Sequence, residues 1–118
     1  MNDSNEATRR SYALPGLLLI ALPLLMAACA TTKARSGAAS QAITLADAHI
    51  QEAQGANAAR YAPQEFQEAK DTLARAQSFF SQGKFGEAGK LADQAAALAG
   101  KAKDKSVAAK RTKTKSRR

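Results

Sequence analysis

Cys29 has the most distinctive chemical setting in this sequence. It is the only cysteine among 118 residues, so no intramolecular disulfide can form, and it directly follows an apolar run that ends in Ala27-Ala28. The residues before it have the three parts of an export signal: the basic pair Arg9-Arg10, a short apolar region over 13–26, and a small-residue cleavage site. The spacing favours chemistry at one thiol, at the point where a signal peptide is removed.

The Cys29 segment resembles the lipobox of bacterial lipoproteins. In that class the thiol receives a diacylglyceryl group, the signal is removed, and the cysteine becomes the lipidated first residue. The resemblance implies a signal peptide over 1–28, cleavage between Ala28 and Cys29, and lipidation of Cys29, which anchors the chain to a membrane. Ala30 follows the cysteine in place of the aspartate that retains enterobacterial lipoproteins in the inner membrane. We therefore expect an outer-membrane, periplasm-facing location.

An uncleaved membrane anchor and an ordinary signal-peptidase site next to an accidental cysteine are the alternatives for this segment. A transmembrane helix needs about 20 apolar residues. The run over 13–30 has only 18 positions and contains Pro15, Gly16 and Pro23. Because Pro23 would break or kink a spanning helix, the pattern favours the signal peptide.

The net charge of +8 is concentrated at the C-terminal end of the chain. Residues 38–100 carry five bases and seven acids, whereas residues 101–118 carry nine bases and one acid. The nine candidate polyanion-binding residues are Lys101, Lys103, Lys105, Lys110, Arg111, Lys113, Lys115, Arg117 and Arg118. Such a run is usually a solvated, disordered end.

The functional interpretation of the basic run is polyanion binding by release of counterions. For an exported lipoprotein, the available anions are peptidoglycan carboxylates, anionic lipid head groups and lipopolysaccharide phosphates. The run has no aromatic residue on which bases could stack, which argues against single-stranded nucleic acid as the partner.

Helical spacing of apolar residues predicts an all-α fold after a flexible tether over 29–40. The predicted helices cover 41–59, 63–82 and 85–101, with an extension of the last one toward Ala109 left open, and Gly83 is suited to a left-handed C-cap between the last two. Their apolar stripes are Ile43, Ala46, Ile50, Ala53 and Asn57; Phe66, Ala69, Leu73, Ala76 and Phe80; and Phe85, Ala88, Leu91, Ala95, Leu98 and Ala102. The expected architecture is an alanine-rich antiparallel helical hairpin or three-helix bundle, with a disordered basic tail over 103–118.

A set of short motifs gives the helical segment a family resemblance. The motifs are Tyr61-Ala62-Pro63-Gln64-Glu65, Ala69-Lys70-Asp71-x-Leu73-x-x-Ala76, Gly83-x-Phe85-x-x-Ala88 and Leu91-Ala92-x-x-Ala95. Over residues 41–102 the chain resembles the DUF4398 lipoproteins. The resemblance implies a small helical domain in the envelope of Gram-negative bacteria. In some relatives this domain precedes a peptidoglycan-binding OmpA-like domain, and here the basic tail takes that place.

No constellation in the sequence predicts catalysis, a metal site or a cofactor. His49 is the only histidine, and Glu52 lies on the same helical face without further converging ligands. The sequence has no Ser/His/Asp arrangement, Gly-rich phosphate loop or HExxH motif. The DUF4398 resemblance brings no catalytic residues either, so we expect the protein not to be an enzyme.

Three functional hypotheses follow. The first is an outer-membrane lipoprotein whose helical domain is a structural or interaction module, and whose cationic tail contacts peptidoglycan or anionic lipid. The second is an adaptor that binds another envelope protein through the apolar edge of the hairpin. The third is a cytoplasmic basic protein that binds nucleic acid, with an apolar N-terminus unrelated to export.

Overall fold

A computed structural model describes residues 30–118 of the chain. The predicted signal peptide, its predicted cleavage site and Cys29 lie outside the described residues. The chain divides into two units; the second, Arg35–Arg118, is compact, and residues 30–34 belong to the first. Residues 30–34 of the first unit are helical. The fold described below is that of the second unit.

The second unit is built from three long helices and one short one. Helix α1 occupies residues 35–55 of this unit, α2 Ala58–Tyr61, α3 Pro63–Ser81 and α4 Phe85–Ser116. Residues 30–118 contain no strand, so the all-α prediction is confirmed. Over the same residues, no helix has the length and apolar character needed to cross a membrane.

The core of the bundle is made largely of alanine. Helices α1, α3 and α4 contribute to one buried cluster, in which the larger side chains are Ile50, Phe66 and Leu73. On α4 the buried positions are Ala88, Ala92, Ala95, Ala99, Ala102 and Ser106, each with no exposed surface. The predicted Leu91 and Leu98 are partly buried and pack against the edge of this alanine seam. The helices therefore meet through methyl groups, with leucines at the sides.

Two left-handed residues turn the chain between the helices. Asn57, with φ of 63°, separates α1 from α2. Gly83, with φ of 78°, follows α3, and the amides of Gly83 and Lys84 donate to the carbonyls of Phe80 and Phe79. These two bonds form a Schellman motif, which confirms the predicted C-cap.

Contacts between side chains and backbone fix the relative directions of the helices. The Cα of Ala39 on α1 lies 3.9 Å from where a Cβ on Gly89 would stand. Further along the same two helices, Glu52 contacts Lys103. Because both contacts join residues about fifty positions apart, α1 and α4 run parallel, and α3 runs antiparallel to both. Residue 35 and the C-terminal end of α4 consequently lie at opposite ends of the bundle.

Two predictions of irregular structure are wrong. The flexible tether over 29–40 is helical over residues 30–40, where alanine-rich composition outweighs Ser36-Gly37 and Ala39 is buried. The tail over 103–118 is not disordered, because α4 continues to Ser116. Its inward stripe extends to Ser106, whose hydroxyl donates to the Ala102 carbonyl at 2.6 Å. The last turns contain no Gly or Pro, and their cations suit the negative end of the helix dipole.

Candidate polyanion-binding surface

The buried stripe of α4 changes from alanine to cationic residues where its partner helices end. The buried positions follow a spacing of four and three residues up to Ser106. Steps of four, three and four residues beyond Ser106 reach Lys110, Lys113 and Arg117. At 3.6 residues per turn these three positions stay within about 40° of the buried stripe. Because α1 ends at residue 55, beside the level of Ser106, α4 is covered from there on mainly by the short helix α2, and residues 111–118 are all exposed. We call residues 107–118 the overhang. The face of α4 that is apolar within the bundle is thus basic on the overhang.

The region around this overhang carries positive charge without compensation. Residues 53–64 and 107–118 contain seven Lys or Arg residues and no Asp or Glu. We call these seven residues the cationic end: Arg60, Lys110, Arg111, Lys113, Lys115, Arg117 and Arg118. None of them forms an ion pair within residues 30–118. Residues 111–118 are all exposed, so these charges are available to an external anion.

Arg60 and the overhanging turns of α4 form the two sides of an open groove. The groove, which we call the notch, is lined by Arg60, Tyr61, Lys110, Lys113, Thr114, Arg117 and Arg118. The Arg60 guanidinium lies over the Tyr61 ring, 5.7 Å from its centroid. The Thr114 hydroxyl donates its hydrogen bond to the Lys110 carbonyl at 2.9 Å. The cationic side chains are therefore the main hydrogen-bond donors that the notch offers to an anion.

Two of the predicted tail lysines are part of the fold. Lys103 Nζ lies 2.8 Å from Glu52 Oε2 on α1, and Lys105 pairs with Glu65 in the first turn of α3. The hydrogen bond and positive charge of Lys103 hold the pKa of the Glu52 carboxyl below its usual value. The same hydrogen bond, with the Glu52 carboxylate, raises the pKa of Lys103. These lysines tie α4 to its neighbours and are not free for an external anion.

The Glu52–Lys103 pair predicts a pH dependence of stability. Because the Glu52 pKa is lowered in the folded state, the pair's contribution is lost as pH falls from about 4.5 through the folded value. Because the Lys103 pKa is raised, the contribution is also lost as pH rises from about 10.5 through its folded value. Both side chains are half-exposed, so the effect is small.

The measurement for this pair is thermal unfolding from pH 3 to pH 7. We expect Glu52→Gln to be less stable than the wild type at pH 7 and to lose less stability on acidification. The matched control is Glu68→Gln, an exposed carboxyl without an ion pair in the structure. Equal acid dependence in the wild type and Glu52→Gln would show that the pair contributes nothing.

The structure divides the predicted site residues into distinct groups. Lys110, Lys113, Arg117 and Arg118 line the notch. Arg111 and Lys115 lie outside the notch and line a second open groove, which shares Lys110, Thr114 and Arg118 with it. Lys101 is exposed on α4, before the overhang. The predicted lipidation site Cys29 and the predicted cleavage residue Ala28 lie outside the described residues.

Sequence reasoning missed Arg60 and Tyr61 as members of the cationic surface. They lie some fifty residues before the tail, and the parallel packing of α1 and α4 brings them beside it. The sequence did contain one signal for this surface. The helical spacing of the buried residues of α4 extends to Lys110, Lys113 and Arg117, which places these three cations on the side of α4 that faces the bundle.

The His49 surroundings do not form a ligand cluster in the described part of the chain. His49 Nδ1 lies 3.8 Å from Glu52 Oε2, a carboxylate oxygen already paired with Lys103. Within residues 30–118, no group of three or more His, Cys, Asp or Glu side chains is arranged to hold a metal ion.

The fold and the surface together define a class of protein. It is a helical bundle whose helices pack through alanine side chains and whose longest helix ends in a cationic overhang. Residues 41–117 match the family described as "Domain of unknown function (DUF4398)", and the chain belongs to this family. The match includes the overhang, so the basic segment is part of the family's domain. No curated protein and no solved structure matches the chain significantly.

Proposed function

We propose that this chain is a non-enzymatic outer-membrane lipoprotein. Its helical domain acts as a structural or interaction module of the cell envelope, and its cationic end contacts peptidoglycan or anionic lipid. The observation that carries the proposal is the cationic end itself: seven exposed or groove-lining bases with no acid among them, on a helix that extends beyond its bundle. Like charges that lie this close together repel one another, which raises the free energy of the folded protein. Binding of a polyanion removes this repulsion and is therefore favoured.

The direction of the helices supports this proposal. The chain enters the bundle at residue 35, and the cationic end lies at the opposite end. With the lipid on Cys29 holding the N-terminal side, as the sequence predicts, the bases are presented away from the point of entry. This arrangement suits a module that connects its anchoring membrane to a second anionic surface.

The test is binding to purified peptidoglycan sacculi and to anionic vesicles. A truncation is unsuitable because residues 101–118 include the buried Ala102 and Ser106 and two ion-paired lysines. Glutamine substitutions keep the helix and remove charge. The test variant changes four residues of the cationic end, Arg111, Lys113, Lys115 and Arg117. The matched control changes four exposed bases elsewhere, Lys70, Arg75, Lys84 and Lys90.

We expect the test variant to lose retention and the control to keep most of it, although their net charges are equal. Each surface Lys or Arg contributes about 1 kcal/mol to binding an anionic membrane, so four substitutions reduce vesicle binding by up to roughly a thousandfold. Equal retention of both variants would reject a role for the cationic end and favour the adaptor hypothesis. No retention of the wild type on either material would reject the proposal itself.

A further inference from the structure

We propose that the notch between Arg60 and the overhang of α4 is a binding site for closely spaced phosphate groups. The proposal rests on the cationic end of the proposed function and adds a defined site and ligand chemistry to it. It does not depend on the lipid anchor, and it concerns residues that the structure describes.

The first argument is convergence of charge. Lys110, Lys113 and Arg117 occupy one face of α4 over seven residues, about 10 Å along the helix axis. Arg60 faces them from the α2 side of the same groove. These four cations are therefore gathered around one concave space, whereas Arg111 and Lys115 point to another side of the helix.

The second argument is the type of donor. Two of the four cations are arginines, whose planar guanidinium forks bind phosphate oxygens in bidentate fashion. Tyr61 also lines the notch, and its hydroxyl makes no hydrogen bond within residues 30–118, so it is an available donor next to Arg60. Stacking of Arg60 over Tyr61 holds the guanidinium at the groove.

The third argument is the balance of charge between site and ligand. A phosphate group carries up to about two negative charges with several acceptor oxygens. A carboxylate carries one charge and two oxygens. Four cations around one groove are thus better neutralised by two neighbouring phosphates than by the separated carboxylates of a polymer. The chemistry is shared by a phosphorylated lipid head group and by a soluble polyphosphate.

The first measurement is calorimetric binding of pyrophosphate and of citrate, a tricarboxylate of similar charge, to the full-length chain in detergent. We expect pyrophosphate to bind at least about tenfold more tightly than citrate, because two adjoining phosphates place more charge and more acceptor oxygens in the groove than separated carboxylates do. Equal affinities, or no binding of pyrophosphate, would overturn the proposal.

Paired variants separate a site from diffuse charge. Arg60→Gln with Lys113→Gln removes two cations from the notch, and Arg111→Gln with Lys115→Gln removes two from the other side of α4. We expect the first pair to weaken pyrophosphate binding by about tenfold or more and the second by less than about threefold. Arg60→Lys keeps the charge without the fork, so it should weaken binding measurably while leaving the helix content unchanged. Equal losses in both pairs would overturn the proposal.

Vesicles distinguish the two sources of phosphate. Binding to phosphatidate vesicles that pyrophosphate displaces assigns the notch to a lipid head group, and pyrophosphate binding without vesicle binding assigns it to a soluble phosphate. Both results support the notch as a phosphate site. Sacculus retention that the paired notch variant leaves intact, alongside lost pyrophosphate binding, supports both the notch and a separate wall contact. Absence of retention on sacculi and anionic vesicles, with pyrophosphate still bound, rejects the proposed function alone.

Discussion

Cys29→Ala is expected to abolish incorporation of a palmitate analogue in cells that express the full chain. Cys29 is the only thiol in the sequence, so no second cysteine can accept the lipid. In lipoproteins, removal of the signal depends on the modified cysteine. The wild type should therefore begin at a blocked Cys29, and the variant should retain residues 1–28. Metabolic labelling, membrane fractionation and the mass of the purified chain measure these differences.

Substitutions at the next residue provide matched controls for this experiment. Ala30→Ser should label as the wild type does, because the cysteine and the residues before it are unchanged. Ala30→Asp should also label but shift from the outer to the inner membrane where the enterobacterial sorting rule applies. Labelling and membrane retention of Cys29→Ala would contradict lipidation at this residue. An unlabelled, soluble wild type would favour the alternative of a cytoplasmic basic protein.

The helical fold could be predicted well because the buried residues follow regular spacing. The face predicted for α3 was Phe66, Ala69, Leu73, Ala76 and Phe80; the first four are buried and Phe80 is half-buried. Gly83 takes the left-handed conformation expected of it. Both features depend on interactions within a few residues, which a local pattern describes.

The helical tail could not be predicted from charge alone. A run of lysines indicates a solvated end when each charge is considered by itself. Here Lys103 and Lys105 pair with Glu52 and Glu65, which are distant in sequence and adjacent in the bundle. These contacts depend on the relative placement of three helices, and that information is absent from the composition of the tail.

The candidate site shows the same division between local and long-range information. The individual lysines and arginines of the cationic end were predicted, except Arg60. Which of these residues line the notch, and which lie on another side of α4, depends on how α4 is placed relative to α2. Periodicity carries part of this information, since the buried spacing of α4 runs on into Lys110 and Lys113. The position of Arg60 opposite these lysines can be learned only from the three-dimensional fold.

The alanine seam is where the bundle is most sensitive to mutation. Ala95 has no exposed surface and lies in the core shared by α1, α3 and α4. Leucine at this position adds three carbon atoms between helices that meet through methyl groups. Overpacking of this kind costs about 1–3 kcal/mol, because the helices must separate or the side chain must leave its preferred rotamer. In a domain of this size each kcal/mol lowers the melting temperature by about 4–8 °C.

Ala97→Leu is the matched control, because Ala97 is an exposed alanine on the same helix two residues away. The two variants have the same composition and nearly the same helix propensity, so they differ only in where the added carbon atoms lie. Thermal and urea unfolding should show a marked loss for Ala95→Leu and a change within about 0.5 kcal/mol for Ala97→Leu. Equal stability of the two variants would contradict a closely packed seam.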